Sequence, residues 1–122
     1  MNVLSASLED YLEVISNSVE AGANIRAIDI SKQMNVSRAS VTEALKKLAS
    51  KGYINYDRYE ILSLTEIGKE VADKIVSRHT ILQRFFEEKL NLSAEEASEN
   101  ACKIEHVITE NAFKKIAEYI GN

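Results

Sequence analysis

The sequence predicts a mainly α chain that opens with a winged helix-turn-helix, carrying a two-stranded β wing, and closes with a helical domain. Three observations predict it. The 122 residues include no proline and only four glycines, the two residues least compatible with a helix interior. Apolar residues recur at helical spacing along most of the chain. From about residue 25 to residue 65 a short helix, a turn, a second helix and two β-rich runs follow one another. With a helix in front of them, they make the order of a winged helix.

Each element has its own signal. Leu8, Leu12, Ile15 and Val19 give the first helix its stripe, and Ser7-Leu8-Glu9-Asp10 reads as the box that starts it. Ala21-Gly22-Ala23-Asn24 ends it. A short helix spans about Ala27 to Met34, and Asn35 suits the left-handed residue of the turn that follows. Ser37 caps the third helix, whose inner stripe is Val41, Ala44, Leu45 and Leu48, and Gly52 stops it. Tyr53–Tyr56 and Ile61–Leu64 read as strands around the polar tip Asp57-Arg58-Tyr59-Glu60. Thr65 caps a long helix with Ile67, Val71, Ile75, His79, Leu82 and Phe86 on one face. Ser93-Ala94-Glu95-Glu96 opens a helix expected to run through Cys102 and His106, and a last amphipathic segment from about Glu110 uses Phe113, Ile116 and Ile120. The division falls at residues 1–66 and 67–122.

Charge is unevenly spread. Between Asn24 and Arg58 there are seven basic and three acidic residues, so the remainder of a chain of net charge −4 stands at −8. A basic module joined to an acidic one fits a DNA-reading half and a cation-binding half, and equally the scatter of an ordinary solvated surface. No apolar run approaches the length of a membrane span, and no signal peptide is expected. The single cysteine makes no internal disulfide, which suits a reducing cytoplasm.

In a winged helix the second helix of the pair enters the major groove with its N-terminal residues on base edges and phosphates. Those residues are Ser37, Arg38, Ala39, Ser40 and Thr42, with Lys46 and Lys47 a turn further on. Hydroxyls and free N–H groups at a helix start hold phosphate, and an arginine forks onto guanine. Arg58, at the wing tip, is placed for the backbone or the minor groove. Taken singly, Ser37 reads equally as a helix cap and the lysines as solubilising charge.

Cys102, Glu105 and His106 are spaced to share a helix face, offering a thiolate, a carboxylate and an imidazole to a divalent transition metal. Asp10 and Glu13 are three apart on the first helix, and His79 continues the inner stripe of the long one. Gln83, a turn beyond, is a poorer donor. Each has a structural alternative. Asp10 closes the box with Ser7, His79 is a core histidine, Cys102 a small buried hydrophobe and Glu105 half an ion pair. Together, both histidines and the only cysteine at compatible spacing beside paired carboxylates point to a metal site.

The ordered set Glu9-Asp10-Tyr11-Leu12-Glu13, Val36-Ser37-Arg38-Ala39-Ser40-Val41-Thr42, Leu64-Thr65-Glu66-Ile67-Gly68, Arg78-His79 and Cys102-Lys103-Ile104-Glu105-His106 resembles the metal-dependent repressors typified by the diphtheria toxin repressor and the manganese transport regulators. That resemblance covers nearly the whole chain. It implies a homodimeric transcriptional repressor, not an enzyme, that binds a palindromic double-stranded DNA operator when loaded with Fe(II) or Mn(II) and represses metal-uptake genes. It places the ligands at Asp10, Glu13, His79, Cys102, Glu105 and His106. Cysteine at 102 is similar to the iron branch, and aspartate at 10 with glutamate at 13 to the manganese branch. Gln83 and Ser98 stand where the iron branch has a carboxylate and a histidine in a second site. The chain looks like the short form, without an SH3-like third domain.

Oxygen donors suit Mn(II), and the thiolate and imidazoles suit Fe(II), with Co(II), Ni(II) or Zn(II) able to occupy such a site in vitro. The alternative keeps the winged helix and replaces the metal signal by a small organic ligand or by redox at Cys102. A winged helix that binds only protein, and a metallohydrolase, are the remaining readings. The hydrolase lacks an H-E-x-x-H motif and a glycine-rich phosphate loop.

Overall fold

A computed structural model describes residues 4–56 and 62–121 of the chain. Among the described residues, six helices and two paired strands follow in the order α1 (Ala6–Glu20), α2 (Ala27–Met34), α3 (Arg38–Ser50), β1 (Ile54–Tyr56), β2 (Leu62–Leu64), α4 (Glu66–Glu88), α5 (Ala94–Ile104) and α6 (Glu110–Tyr119). They fall into two compact units, Met1–Asp73 and Lys74–Asn122. Among the described residues no helix is long and apolar enough to cross a membrane.

The first unit is a winged helix-turn-helix. Leu12 and Ile15 of α1, Ile30 of α2 and Val41, Leu45 and Leu48 of α3 are fully buried and form its core. The expected inner stripe of α3 is therefore the observed one. Arg26 N–H donates to the Asp29 carboxylate at 3.0 Å at the start of α2. After α2, Asn35 takes φ 55° and ψ 50°, and its N–H returns to Ser31. That left-handed residue makes the turn into α3. The wing strands are antiparallel, with Ile54 opposite Leu64, Asn55 opposite Ser63 and Tyr56 opposite Leu62. Arg58 and the rest of the expected wing tip lie outside the described residues.

Of two helix starts, one differs from expectation and one agrees. Ser5, not Ser7, caps α1, accepting from Leu8 N–H at 3.2 Å. Ser7 is inside the helix, so Asp10 has no part in a capping box. Thr65 does cap α4, accepting from Gly68 N–H at 3.0 Å while its own hydroxyl donates to Gly52 O at 2.6 Å.

The buried stripe of α4 begins one residue later than expected. Ile67 is 58% exposed, whereas Ala72, Ile75 and Leu82 are buried. The cause is Gly68, whose missing Cβ would strike the Tyr53 carbonyl. A backbone that close admits only glycine, and it turns Ile67 outward.

In the second unit Ser93 caps α5, accepting from Glu96 N–H at 3.1 Å, and Thr109 caps α6. The expectation that α5 runs through His106 is corrected. It ends at Ile104 with Glu105 as its C-cap, and Val107 and Ile108 N–H both return to Ile104 O. The Glu105 carbonyl accepts instead from Arg78 Nη1 at 3.0 Å. A side chain from another helix thus satisfies the carbonyl that further helix would have used.

Candidate DNA-reading face and metal centre

The start of α3 is built for exposure. Ser37, Arg38, Ala39 and Ser40 are exposed, Thr42 is half-buried, and Lys46 and Lys47 are exposed a turn later. Ser37 Oγ accepts from Ser40 N–H at 3.1 Å and lies 3.0 Å from Ser40 Oγ. The capping role expected of Ser37 is real, and it puts the exposed start of α3, where backbone N–H groups point outward, on this face.

Glu43 shares this exposed face. It is not among the expected DNA-facing residues, although its spacing of four from Ala39 and three from Lys46 puts it on one surface with them. An open groove of about 600 Å³ borders the face, lined by Ser5, Ser7 and Tyr11 from the α1 side and by Ser40, Glu43 and Lys47 from α3.

The candidate metal donors are distributed over both units. In the first, Asp10 and Glu13 are half-buried on α1 and offer carboxylate oxygens within 4.8 Å of each other. Two carboxylates at that separation repel unless a cation or proton stands between them.

In the second unit, the Glu105 side chain is 1% exposed and lies between two imidazoles. Its Oε1 is 2.7 Å from His79 Nδ1, and its Oε2 is 3.7 Å from His106 Nε2. The other nitrogen of His79, Nε2, is 3.2 Å from Ser98 Oγ. Gln83, one turn after His79, donates to Glu87 at 2.8 Å. Cys102 is exposed, unlike Glu105 three residues on. It is therefore not the buried small hydrophobe that a lone cysteine usually is.

This donor set fits a divalent transition metal. A carboxylate kept from water needs a compensating charge, and imidazole nitrogens beside carboxylate oxygens are the mixture that such ions take. The turn that positions Glu105 and His106 depends on Arg78. Besides the Glu105 carbonyl, its guanidinium pairs with Glu110 and stacks 5.5 Å from the centre of the Phe113 ring. In the sequence Arg78 stands out only as the neighbour of His79. Its reach to a turn 27 residues on leaves no local signal.

Comparison with known proteins agrees with these features. The iron-dependent repressor N-terminal DNA-binding domain matches residues 3–62, and the iron-dependent repressor metal-binding and dimerisation domain matches residues 65–122. An uncharacterized HTH-type transcriptional regulator of Methanocaldococcus jannaschii is 38% identical over 114 residues, which cover 93% of this chain and 91% of the relative. The HTH-type transcriptional regulator MntR of Oceanobacillus iheyensis is 31% identical over 115 residues, 94% of this chain and 78% of the relative.

Among solved structures, the manganese regulator SloR superposes with a TM-score of 0.81 at 27% identity, over 93% of this chain and 53% of SloR. IdeR of T. acidophilum superposes with a TM-score of 0.83 at 26% identity, over 100% of this chain and 56% of IdeR. The chain thus spans about half the length of these solved relatives. With a winged helix, a buried carboxylate between imidazoles and two family domains that match nearly the whole chain, the chain belongs to the diphtheria toxin repressor and manganese transport regulator family of metal-dependent transcriptional repressors, which are regulators and not catalysts.

Proposed function

We propose that this protein represses transcription as a cytoplasmic homodimer that reads a palindromic operator when loaded with Fe(II) or Mn(II). The observation that carries the reading is the buried Glu105 carboxylate set between His79 and His106. Residues 1–66 read DNA, and residues 67–122 supply most of the metal ligands and the dimer contact. Asp10 and Glu13 join His79, Cys102, Glu105 and His106 as ligands. Ser37, Arg38, Ala39, Ser40, Thr42, Lys46, Lys47 and Arg58 meet the DNA.

The bound ion supplies the positive charge that lets several carboxylates share one site. Without it, Asp10, Glu13 and Glu105 oppose any arrangement that gathers them. With it, they favour the single arrangement in which all can ligate, and a ligand shifts an equilibrium only through such a preference. Two recognition helices must enter successive major grooves about 34 Å apart, so fixing one arrangement fixes operator affinity.

The choice of ion rests on donor chemistry. Asp10, Glu13 and Glu105 suit Mn(II), the metal for which the SloR relative is named. Cys102 and the imidazoles suit Fe(II), the metal named in the matching family domains.

The deciding experiment follows the thermal midpoint of metal-stripped protein, kept anaerobic, with Mn(II), Fe(II), Co(II), Zn(II) and Mg(II) in turn. A ligand at a hundred times its Kd stabilises the native state by about 2.7 kcal/mol, a clear shift. The expected result is a rise with Mn(II) or Fe(II), no rise with Mg(II), and loss of the rise in Glu105→Gln. No rise with any ion overturns the metal reading and leaves a winged helix with another effector.

A further inference from the structure

His79 is held at both ring nitrogens inside the second unit. Nδ1 faces Glu105 Oε1 at 2.7 Å, and Nε2 faces Ser98 Oγ at 3.2 Å. A neutral imidazole carries one proton, so one nitrogen donates and the other accepts. The two partners differ in what they can do. An ionised carboxylate only accepts, whereas a hydroxyl both donates and accepts and turns to suit.

We propose that Ser98 is a positioning residue for the metal centre: it holds Nε2 of His79 so that Nδ1 is the nitrogen presented to an ion shared with Glu105. This rests on the metal reading given above. The hydroxyl serves both states of the ring. While Nδ1–H donates to Glu105, the Ser98 hydroxyl donates to Nε2. When Nδ1 gives its lone pair to an ion, the single ring proton resides on Nε2 and the hydroxyl accepts it.

Neither state leaves a half-buried nitrogen without a partner. Alanine at 98 removes the acceptor that the ligating tautomer needs. A ligating histidine whose other nitrogen loses its partner loses about 10–100-fold in metal affinity. The geometry also makes His79 a one-sided ligand, because Ser98 occupies the direction from which a second ion would approach Nε2.

The test uses the whole chain with ¹⁵N-labelled histidine, loaded with Zn(II) as a diamagnetic probe. Long-range ¹H–¹⁵N spectra report which ring nitrogen of His79 carries the proton, the signals being assigned by their loss in His79→Gln. The proposal expects the proton on Nε2 and the metal on Nδ1. It further expects Ser98→Ala to weaken Zn(II) binding about 10–100-fold, with Ser98→Thr restoring it.

A proton on Nδ1 of the loaded protein overturns the proposal without any variant being made. So does a Ser98→Ala protein that binds Zn(II) as tightly as the parent, and in that case the metal reading still stands. Failure of the parent itself to bind Zn(II) removes the metal reading and this inference with it.

Discussion

Arg78 Nη1 donates to the backbone carbonyl of Glu105 at 3.0 Å. The same guanidinium pairs with Glu110 in the first turn of α6 and lies over the Phe113 ring. One side chain on α4 therefore ends α5 and ties the Glu105–His106 turn to α6.

Arg78→Ala is expected to destabilise the second unit by about 1.5–3 kcal/mol, the range for a hydrogen bond to a charged group. Little of that comes from Glu110, whose side chain is 84% exposed, since exposed ion pairs contribute little. The Glu105 carbonyl, left without its donor, supplies most of it. Urea denaturation measures the loss. Arg78→Lys is expected to recover only part, because one ammonium does not span a carbonyl and a carboxylate as a fork does. Full recovery by lysine would show that the charge alone matters.

Gly68→Ala sets helix propensity against sterics. Within a helix, alanine is better than glycine by about 1 kcal/mol. The new methyl would overlap the Tyr53 carbonyl, and that obstacle is backbone and has no rotamer to change. Overpacking of this kind costs about 1–3 kcal/mol even where side chains can move. The steric effect wins, and the expected result is a lower midpoint in a thermal melt. A higher midpoint would mean that α4 can lift from the β1 end at little cost.

Lys69 joins two helices of the first unit. Its ammonium lies 3.3 Å from Glu20 Oε1 at the end of α1 and 4.0 Å from Asp73. The hydrogen bond to Glu20 first, then the charges of Asp73 and Glu20, raise its pKa above the ordinary lysine value of 10.5. A group whose pKa is raised on folding contributes stability that is fully present below the unfolded value and is lost as pH rises through the folded one. The stability difference between parent and Lys69→Gln is therefore expected to be small and flat from about pH 7 to 9, and to close above about pH 10.5. Its size at neutral pH is expected to fall with added salt, as for any exposed pair.

The parts of the fold that the sequence disclosed are those with local causes. Val41, Ala44, Leu45 and Leu48 repeat at helical spacing, Asn35 tolerates φ 55°, and Thr65 and Ser93 each precede an amphipathic run. The misplaced features have causes elsewhere in the chain. Ser5 and Ser7 are both competent caps, and the helix includes Ser7 with Leu4 buried just ahead of it. The outward turn of Ile67 at the start of α4 follows from Tyr53, and the end of α5 from Arg78. Of the candidate metal centre, the residue types were legible and the pairings were not. No spacing rule tells that His79 divides its two nitrogens between Glu105 and Ser98.

The observed role of Ser37 as a helix cap and its proposed role as a DNA contact are separable by substitution. Ser37→Ala removes the acceptor of Ser40 N–H, and loss of such a cap costs about 1 kcal/mol. Lower DNA affinity in that variant is uninformative, since a frayed α3 would produce it too. Ser37→Asp is the sharper probe. Aspartate caps as well as serine, and its charge favours the helix N-terminus. The thermal midpoint is therefore expected to hold or rise. On the proposed DNA face the same charge meets phosphate, so affinity for duplex DNA is expected to fall, most steeply at low salt where charges are least screened. Arg38→Ala supplies the scale: each lost phosphate contact should reduce the slope of log affinity against log salt by about 0.9. A Ser37→Asp protein that is stable and binds duplex DNA like the parent would place the DNA contact away from the start of α3.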